Sequence, residues 1–333
     1  MTLALVAVQL EVDDDIVRSP DVYRAQIERA ATAAIDAAGS AADKLVVFPE
    51  LAGHLALLAL APPRAKRAKT LPAALAAAAV RRPLEVLRGI ATTRLLDHRH
   101  AVLAALAPDG ERFWRGVFGP LARRHGVYLV AGSHLRLGPN GDLTNASFLF
   151  APDGRLLATT DKVNLVPGIE DRSPKGLALA RGVPEQVPIV EARFGRVCTL
   201  LSYDAFREPH TPQERFDLMA ARIAARGGVC VVANPSSNLW AWRGPWKYAE
   251  LGVPEEPTSR EAQWHREGLP GALAEYPFAR WGVTAHLVGR VLELTFEGQS
   301  EILECTTDGG TAVRRLARAA QYERAEHVVA TVT

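Results

Sequence analysis

Hydrophobic positions along the chain fall into two kinds of run. Short, nearly continuous apolar stretches at residues 1–8, 45–48, 127–131, 145–150, 197–201, 229–233 and 328–332 have the length of buried strands and are bounded by polar or turn residues. Between the first two, Ser19-Pro20 predicts a helix start, with Ser as N-cap and Pro at the first helical position. Tyr23, Ile27, Ala30 and Ala34 then share one helical face, and Gly39 follows near the end. Strand, helix and strand in that order predict α/β organisation. Thr211-Pro-Gln-Glu214 reads as a capping box opening a second helix, with Phe216, Met219, Ala220 and Ile223 on one face and Gly227-Gly228 as its stop.

Turn signals divide the middle of the chain. Gly138-Pro-Asn-Gly141 is a turn, and Pro152-Asp153-Gly154 joins 145–150 to 156–160 as a hairpin. A second hairpin, 189–191 with 196–201, leads to Ser202, and Asn234-Pro-Ser-Ser-Asn238 reads as a loop. Strands and helices alternate in two batches, which suits a two-sheet layered domain, and no fixed repeat points to a solenoid.

Two segments are less patterned. Residues 62–115 carry a basic run (Arg64, Lys66, Arg67, Lys69) and an Ala-rich stretch at 73–80, and read as a solvated helical insertion rather than an anion site. His98 and His100 flank Arg99 without Asp, Glu or His partners at helical spacing, so they read as surface histidines rather than metal ligands; a short helix is expected over 121–125. Residues 239–281 gather Trp240, Trp242, Trp246, Trp264 and Trp281, suited to lining a pocket or an interface, or to simple packing.

Composition narrows the function classes. A hydrophobic content of 48% over 333 residues is enough for a sizeable core, in one large domain or two small ones. A net charge of +2 gives no electrostatic ground for a nucleic-acid or membrane partner. The three cysteines are too few for a disulfide framework or zinc site; Cys198 and Cys230 lie in strand-like runs as small buried hydrophobes. The apolar N-terminus lacks a basic start and reads as a strand rather than a signal peptide. No apolar run approaches the ~18 residues of a membrane span, and the expected location is cytoplasmic. No Gly-x-x-x-x-Gly-Lys-Ser/Thr loop supports nucleotide binding.

Candidate chemistry centres on Ser202, a small nucleophile where the apolar run 197–201 meets a polar turn. Two other stretches give it weight: Leu45-Val-Val-Phe-Pro-Glu50, a strand ending in a carboxylate, and Asp161-Lys162-Val-Asn-Leu-Val-Pro167-Gly-Ile-Glu170. Singly each has an ordinary reading. Ser202 is a turn residue, Glu50 a helix cap, and Lys162 a surface lysine. Asp204 and Glu208 read as structural, pairing with loop amides or an arginine.

Taken in order, the three stretches resemble the signature segments of the nitrilase superfamily, the carbon–nitrogen hydrolases. Phe296-Glu-Gly298-Gln-Ser300 resembles the family's Phe-x-Gly-x-Ser segment. The resemblance implies a four-layer α-β-β-α sandwich in one domain spanning 1–333, with insertions at about 62–115 and 240–275. It implies a Glu50, Lys162 and nucleophile triad in which Ser202 stands at the family's Cys position. Glu50 is then the proton carrier, Lys162 and the Tyr203 backbone N–H stabilise the oxyanion, and Glu170 holds the lysine and substrate. Neither metal nor cofactor is expected. The implied substrate is a small amide, nitrile or carbamoyl compound, and the implied assembly a homodimer or larger oligomer.

The chain also departs from the family. Arg280-Trp-Gly-Val-Thr284 keeps only the Arg of the family's Arg-Ala-x-Glu-Asn segment, and Phe206-Arg207-Glu208 replaces Phe-Pro-Glu. A thiol, with a reference pKa of about 8.5, reaches its reactive anion far more easily than a serine hydroxyl. A serine needs an aligned strong base, usually an imidazole. Cys198 is no substitute, lying about 13 Å back at strand rise. Divergence and a deliberate Cys-to-Ser replacement leave the same residue at 202. Two alternatives therefore stand: a catalytically silent homologue that binds a ligand or protein, and an ordinary serine hydrolase using His210, which lacks a Gly-x-Ser-x-Gly elbow.

Overall fold

Strand β1 (Leu3–Val12) divides its side chains between two cores, and the rest of the chain is layered on that division. Successive strand residues point to opposite faces. Leu3, Leu5 and Ala7 enter a core shared with a second sheet, whereas Ala4, Val6 and Val8 enter a core shared with helices. The computed structural model describes residues 2–81, 83–93, 97–174, 176–246 and 258–333.

Helix α1 (Pro20–Ala37) starts where the Ser-Pro pair predicts, the Ser19 hydroxyl accepting from the Val22 N–H at 3.2 Å. Tyr23, Ile27, Ala31 and Ala34 pack it on β1. Strand β2 (Asp43–Val47) runs parallel to β1 and precedes α2 (Ala52–Leu60), α3 (Pro63–Lys66), α4 (Leu71–Arg81), α5 (Pro83–Thr93) and α6 (His98–His125). The short helix expected over 121–125 is the last turn of α6, which carries Pro108 and Pro120 within it. Interior prolines are costly, but this helix buries Val102, Leu106, Trp114, Phe118 and Leu121 against the first sheet and α2. His100 is buried rather than on the surface, its Nδ1 lying 3.0 Å from the Leu177 carbonyl. The side chain of His98 lies outside the described residues.

β3 (Tyr128–Val130) continues the parallel order, and β4 (His134–Leu137), β5 (Leu143–Phe150) and β6 (Leu156–Asp161) close the first sheet as an antiparallel meander. The second sheet begins with the predicted hairpin of β7 (Ile189–Ala192) and β8 (Gly195–Thr199). Helix α7 (Met219–Ala225) then leads to β9 (Val229–Ser236), parallel to β8. The helix expected from Thr211 starts only at Met219. The Glu214 carboxylate that would box its N-terminus instead takes the Tyr203 and Thr211 hydroxyls. Asp217 is likewise held by Arg181 and Arg222.

β9 runs through Asn234-Pro235, where the sequence predicts a loop. Ala233 accepts from the Leu200 N–H on the β8 side. Pro235, two residues on, faces the same side but beyond the end of β8, where no ladder bond is forfeited. Helices α8 (Arg260–Glu267) and α9 (Leu269–Glu275) precede β10 (Ala279–Val291), β11 (Leu294–Phe296), β12 (Glu301–Thr306), β13 (Ala312–Arg318) and β14 (Glu326–Val332). β10 is parallel to β9 and, at its far end, to β1, so the two sheets join at one corner. β14 pairs antiparallel with β1.

Three cores separate the layers. α1, α2 and α6 cover the outer face of the first sheet; Leu5, Val47, Val231 and Val283 meet between the sheets; α7 and α9 cover the second. This is the α-β-β-α sandwich that the sequence predicts. Trp281 packs between the sheets, while Trp242 and Trp264 pack with Tyr203 and Phe206. Arg260 is buried over the ring of Trp246 at 3.9 Å. No helix among the described residues is long and apolar enough to cross a membrane.

Candidate active site

β2 ends inside the molecule and delivers Glu50 to the end of the first sheet. The Phe48 N–H still bonds the Val130 carbonyl at 2.9 Å, after which Pro49 ends the ladder. Leu51 takes a left-handed φ of 68°, held by its N–H on the Ser133 hydroxyl at 3.0 Å. Lys162 follows β6 directly, its N–H on the Asn145 carbonyl at 2.8 Å and its carbonyl accepting from Gly182 at 2.7 Å. Both side chains are almost wholly buried.

The Lys162 Nζ lies 2.8 Å from Glu50 Oε1 and 2.7 Å from Glu170 Oε2. The Asn145 amide donates to Oε1 of both glutamates at 3.0 Å. The Ser237 hydroxyl donates to the other Glu50 oxygen at 2.7 Å. Glu170 is further held by the Val166 N–H at 2.9 Å. Burial raises the pKa of Glu50 and the Glu170 charge adds to this, while Lys162 and Ser237 oppose it; the net shift is upward. Burial works against the Lys162 ammonium, but Glu170 and Glu50 outweigh it and hold its pKa above the ordinary value.

Ser202 sits where β8 gives way to a tight 3₁₀ turn, residues Ser202–Ala205, with φ at 45°. That left-handed geometry is strained for a residue with a Cβ and is commonest at functional turns. The surroundings hold it. Asn234 donates to the Leu200 carbonyl at 2.8 Å and to that of Ser202 at 3.4 Å. Buried Asp204 accepts from the Val163 and Asn164 N–H groups at 3.1 and 2.6 Å, joining the Ser202 turn to the lysine loop. Asp204 thus has the loop-amide role read for it, and burial pushes its carboxyl up to about 7 against those bonds. Glu208 lies 3.7 Å from Arg207.

Glu50, Lys162, Glu170, Ser202 and Ser237 line one end of a cavity of about 340 Å³. The side chain of Tyr203 points elsewhere, stacked on His210 with ring centroids 4.3 Å apart and bonded to Glu214 at 2.5 Å. Any contact of Tyr203 with the oxyanion therefore falls to its backbone N–H. His210 packs against Tyr203, Phe206 and Trp246 and is not part of the cavity wall; burial drives its pKa well below the ordinary value. Cys198 is buried in the core behind the second sheet, and burial raises its thiol to about 12. Among the described residues no group of three or more His, Cys, Asp or Glu side chains could hold a metal ion.

The structure brings Glu50, Lys162 and Glu170 into direct contact, and Ser202 lines the same cavity. The structure adds three residues that the sequence reading left out of the site: Asn145, Ser237 and His54. His54 lines the cavity with its Nδ1 unpartnered, and burial lowers its pKa to about 3, so the ring is neutral. Ser237 lies just beyond the unexpectedly long β9, a consequence of that strand's continuation through Pro235.

The family model for carbon-nitrogen hydrolases matches residues 8–250. The chain belongs to the carbon-nitrogen hydrolase family. The match includes every site residue named above, while β10 to β14 lie beyond it and supply part of the core between the sheets. Among curated proteins no relative matches. Solved structures of similar fold include a carbon-nitrogen hydrolase from Helicobacter pylori, at a TM-score of 0.60 and 15% identity over 99% of this chain and 89% of that one. A double mutant of the amidase from Nesterenkonia sp. AN1 in complex with acrylamide has a TM-score of 0.56 and 18% identity over 100% and 90%. A Cys-to-Ser mutant of the same nitrilase-superfamily amidase has a TM-score of 0.54 and 20% identity over 99% and 90%. At such identities the likeness is one of fold.

Proposed function

We propose that this carbon-nitrogen hydrolase is of amidase type, cleaving an amide or carbamoyl C–N bond with Ser202 as nucleophile. The observation that carries the reading is the buried Glu50–Lys162–Glu170 group at the end of a cavity that Ser202 also lines. The complex of the similarly folded amidase with acrylamide supports an amide as the substrate class.

Glu50 takes the proton of the Ser202 hydroxyl as Oγ attacks the carbonyl carbon. Negative charge gathers on the carbonyl oxygen, where the Lys162 ammonium and the Tyr203 N–H stabilise it. Collapse of the tetrahedral intermediate breaks the C–N bond, and the leaving amine receives the proton from Glu50. Water then gives a proton to Glu50 and attacks the acyl-serine, releasing the acid and regenerating the Ser202 hydroxyl. The raised pKa of Glu50 suits both directions of transfer. Glu170 and Asn145 hold the lysine and Glu50 without taking part in bond changes.

One observation favours the second reading, a silent ligand-binding homologue. Among the described residues Ser202 makes no side-chain hydrogen bond to Glu50, whose free oxygen is occupied by Ser237. The deciding experiment measures ammonia and carboxylate release from amides, nitriles and carbamoyl compounds. It compares the protein with Ser202→Cys, and with Glu50→Gln added to the Cys form. Activity in the Ser form supports a serine nucleophile. Activity only with Cys, lost with Gln, supports an intact site lacking its thiol. Silence in folded forms of both overturns hydrolysis in favour of binding.

A further inference from the structure

Away from its charged end the cavity changes character. Apart from Glu50, His54, Lys162, Glu170, Ser202 and Ser237, every residue lining it is apolar, and leucine is the commonest. The wall comes from elements far apart in sequence: Leu55 on α2, Leu75 on α4, Leu103 and Leu106 on α6, Leu135 on β4 and Leu294 on β11. α4 turns one stripe inward, Leu71, Ala74, Leu75 and Ala78, at the spacing of a single helical face. Its start is tied down by the Glu293 carboxylate, both oxygens of which lie 2.9 Å from the Leu71 N–H. Leu292, beside that anchor, lines the cavity at a strained φ of 55°.

Apolar side chains facing a cavity lack partner atoms on that side, and a hydrocarbon group placed against them gains those contacts and removes its own surface from water. At about 340 Å³ the cavity is within the range of small-molecule pockets. The small side chains of Ala74 and Ala78 keep it open where leucines would close it. Val80, Leu84 and Leu87, on α4 and α5, are strongly exposed large hydrophobics, so this part of the molecule is apolar on its outer side as well.

We infer that the substrate is an amide carrying an aliphatic hydrocarbon chain, with the amide group at Ser202 and the chain lying in the leucine-lined chamber beneath α4. This inference rests on the amidase reading for its reacting group, whereas the chamber stands on its own geometry. It makes α4 and the Leu103 and Leu106 face of α6, both within 62–115, a specificity element rather than a solvated appendage.

Binding separates the two claims. In the Glu50→Gln protein, affinities are measured by calorimetry for linear primary amides from acetamide to dodecanamide, and for N-alkylacetamides of matching length. Affinity should rise about fourfold per added methylene until the chamber is full. A rise in the first series puts the chain on the acyl side, and a rise in the second puts it on the amine side. Ala78→Phe should end the rise several methylenes earlier and weaken dodecanamide far more than acetamide, and Ala74→Phe serves if the first variant unfolds. Affinity independent of length, or an equal loss for all lengths on filling the chamber, overturns the inference. Hydrolysis of amides by the parent protein without any length dependence sinks the chamber and keeps the amidase. Length-dependent binding with no hydrolysis in either the Ser or Cys form keeps the chamber and sinks the amidase.

Discussion

The two ends of the cavity are built on opposite principles. At one end Glu50, Lys162, Glu170 and Asn145 are fixed by directional bonds of 2.7 to 3.0 Å. At the other, leucines from five elements enclose space without any directional bond. A directional site tolerates no change of residue type, because a buried charge left alone is costly. A hydrophobic wall tolerates exchanges of similar volume. On the proposed reading the charged end carries the reaction class and the apolar end the choice of substrate.

The sharpest contrast is expected in stability. Lys162→Ala leaves two buried carboxylates without their cation, and a loss of about 3–5 kcal/mol is expected from denaturant unfolding. A loss below about 1 kcal/mol would mean that the carboxylates take up protons and relax freely, and that the group is less rigid than its geometry. In activity, Glu50→Gln in the Ser202→Cys form should lower kcat on the order of 10²–10⁴-fold, the worth of a positioned proton carrier. Unchanged kcat would remove Glu50 from the mechanism.

How much of this was legible beforehand differs between the same two ends. Glu50, Lys162, Glu170 and Ser202 stand out only as an ordered set that resembles the family's signature segments, since singly each has an ordinary reading. Their partners do not stand out, because the bonds join residues distant in sequence: Asn145 to Glu50 across 95 positions and Ser237 to Glu50 across 187. Nothing local distinguishes Asn145 from a polar strand residue. The chamber was hidden for another reason. The stripe Leu71, Ala74, Leu75 and Ala78 has helical spacing, but alanine is equally at home on a solvated face, so the Ala-rich run concealed its direction. The helix expected at Thr211 failed because Tyr203, remote from any local pattern, claims Glu214.

The packing of the two kinds of apolar residue gives a smaller, complementary contrast. Leu5 is fully buried between the sheets. Leu5→Ala should cost about 2–5 kcal/mol, as for leucines in close-packed cores. Leu75 faces the chamber and has fewer partner atoms to lose, so Leu75→Ala should fall at or below about 2 kcal/mol. Equal losses at the two positions would mean that the chamber closes up in solution, and the inference of a hydrocarbon-binding space would weaken with it.

The finest effects concern the proton affinity of Glu50. As proton acceptor Glu50 must be ionised, so kcat/KM falls as pH drops through its pKa, which lies above the ordinary glutamate value. The Glu170 charge raises that pKa, whereas the Ser237 hydrogen bond lowers it. Glu170→Gln should therefore move the acid limb of the pH profile to lower pH, and Ser237→Ala should move it higher. The two shifts in opposite directions separate an electrostatic role from simple disruption, which would lower the plateau in both variants and leave the limb in place. Shifts in the same direction would mean that a group other than Glu50 governs the acid limb.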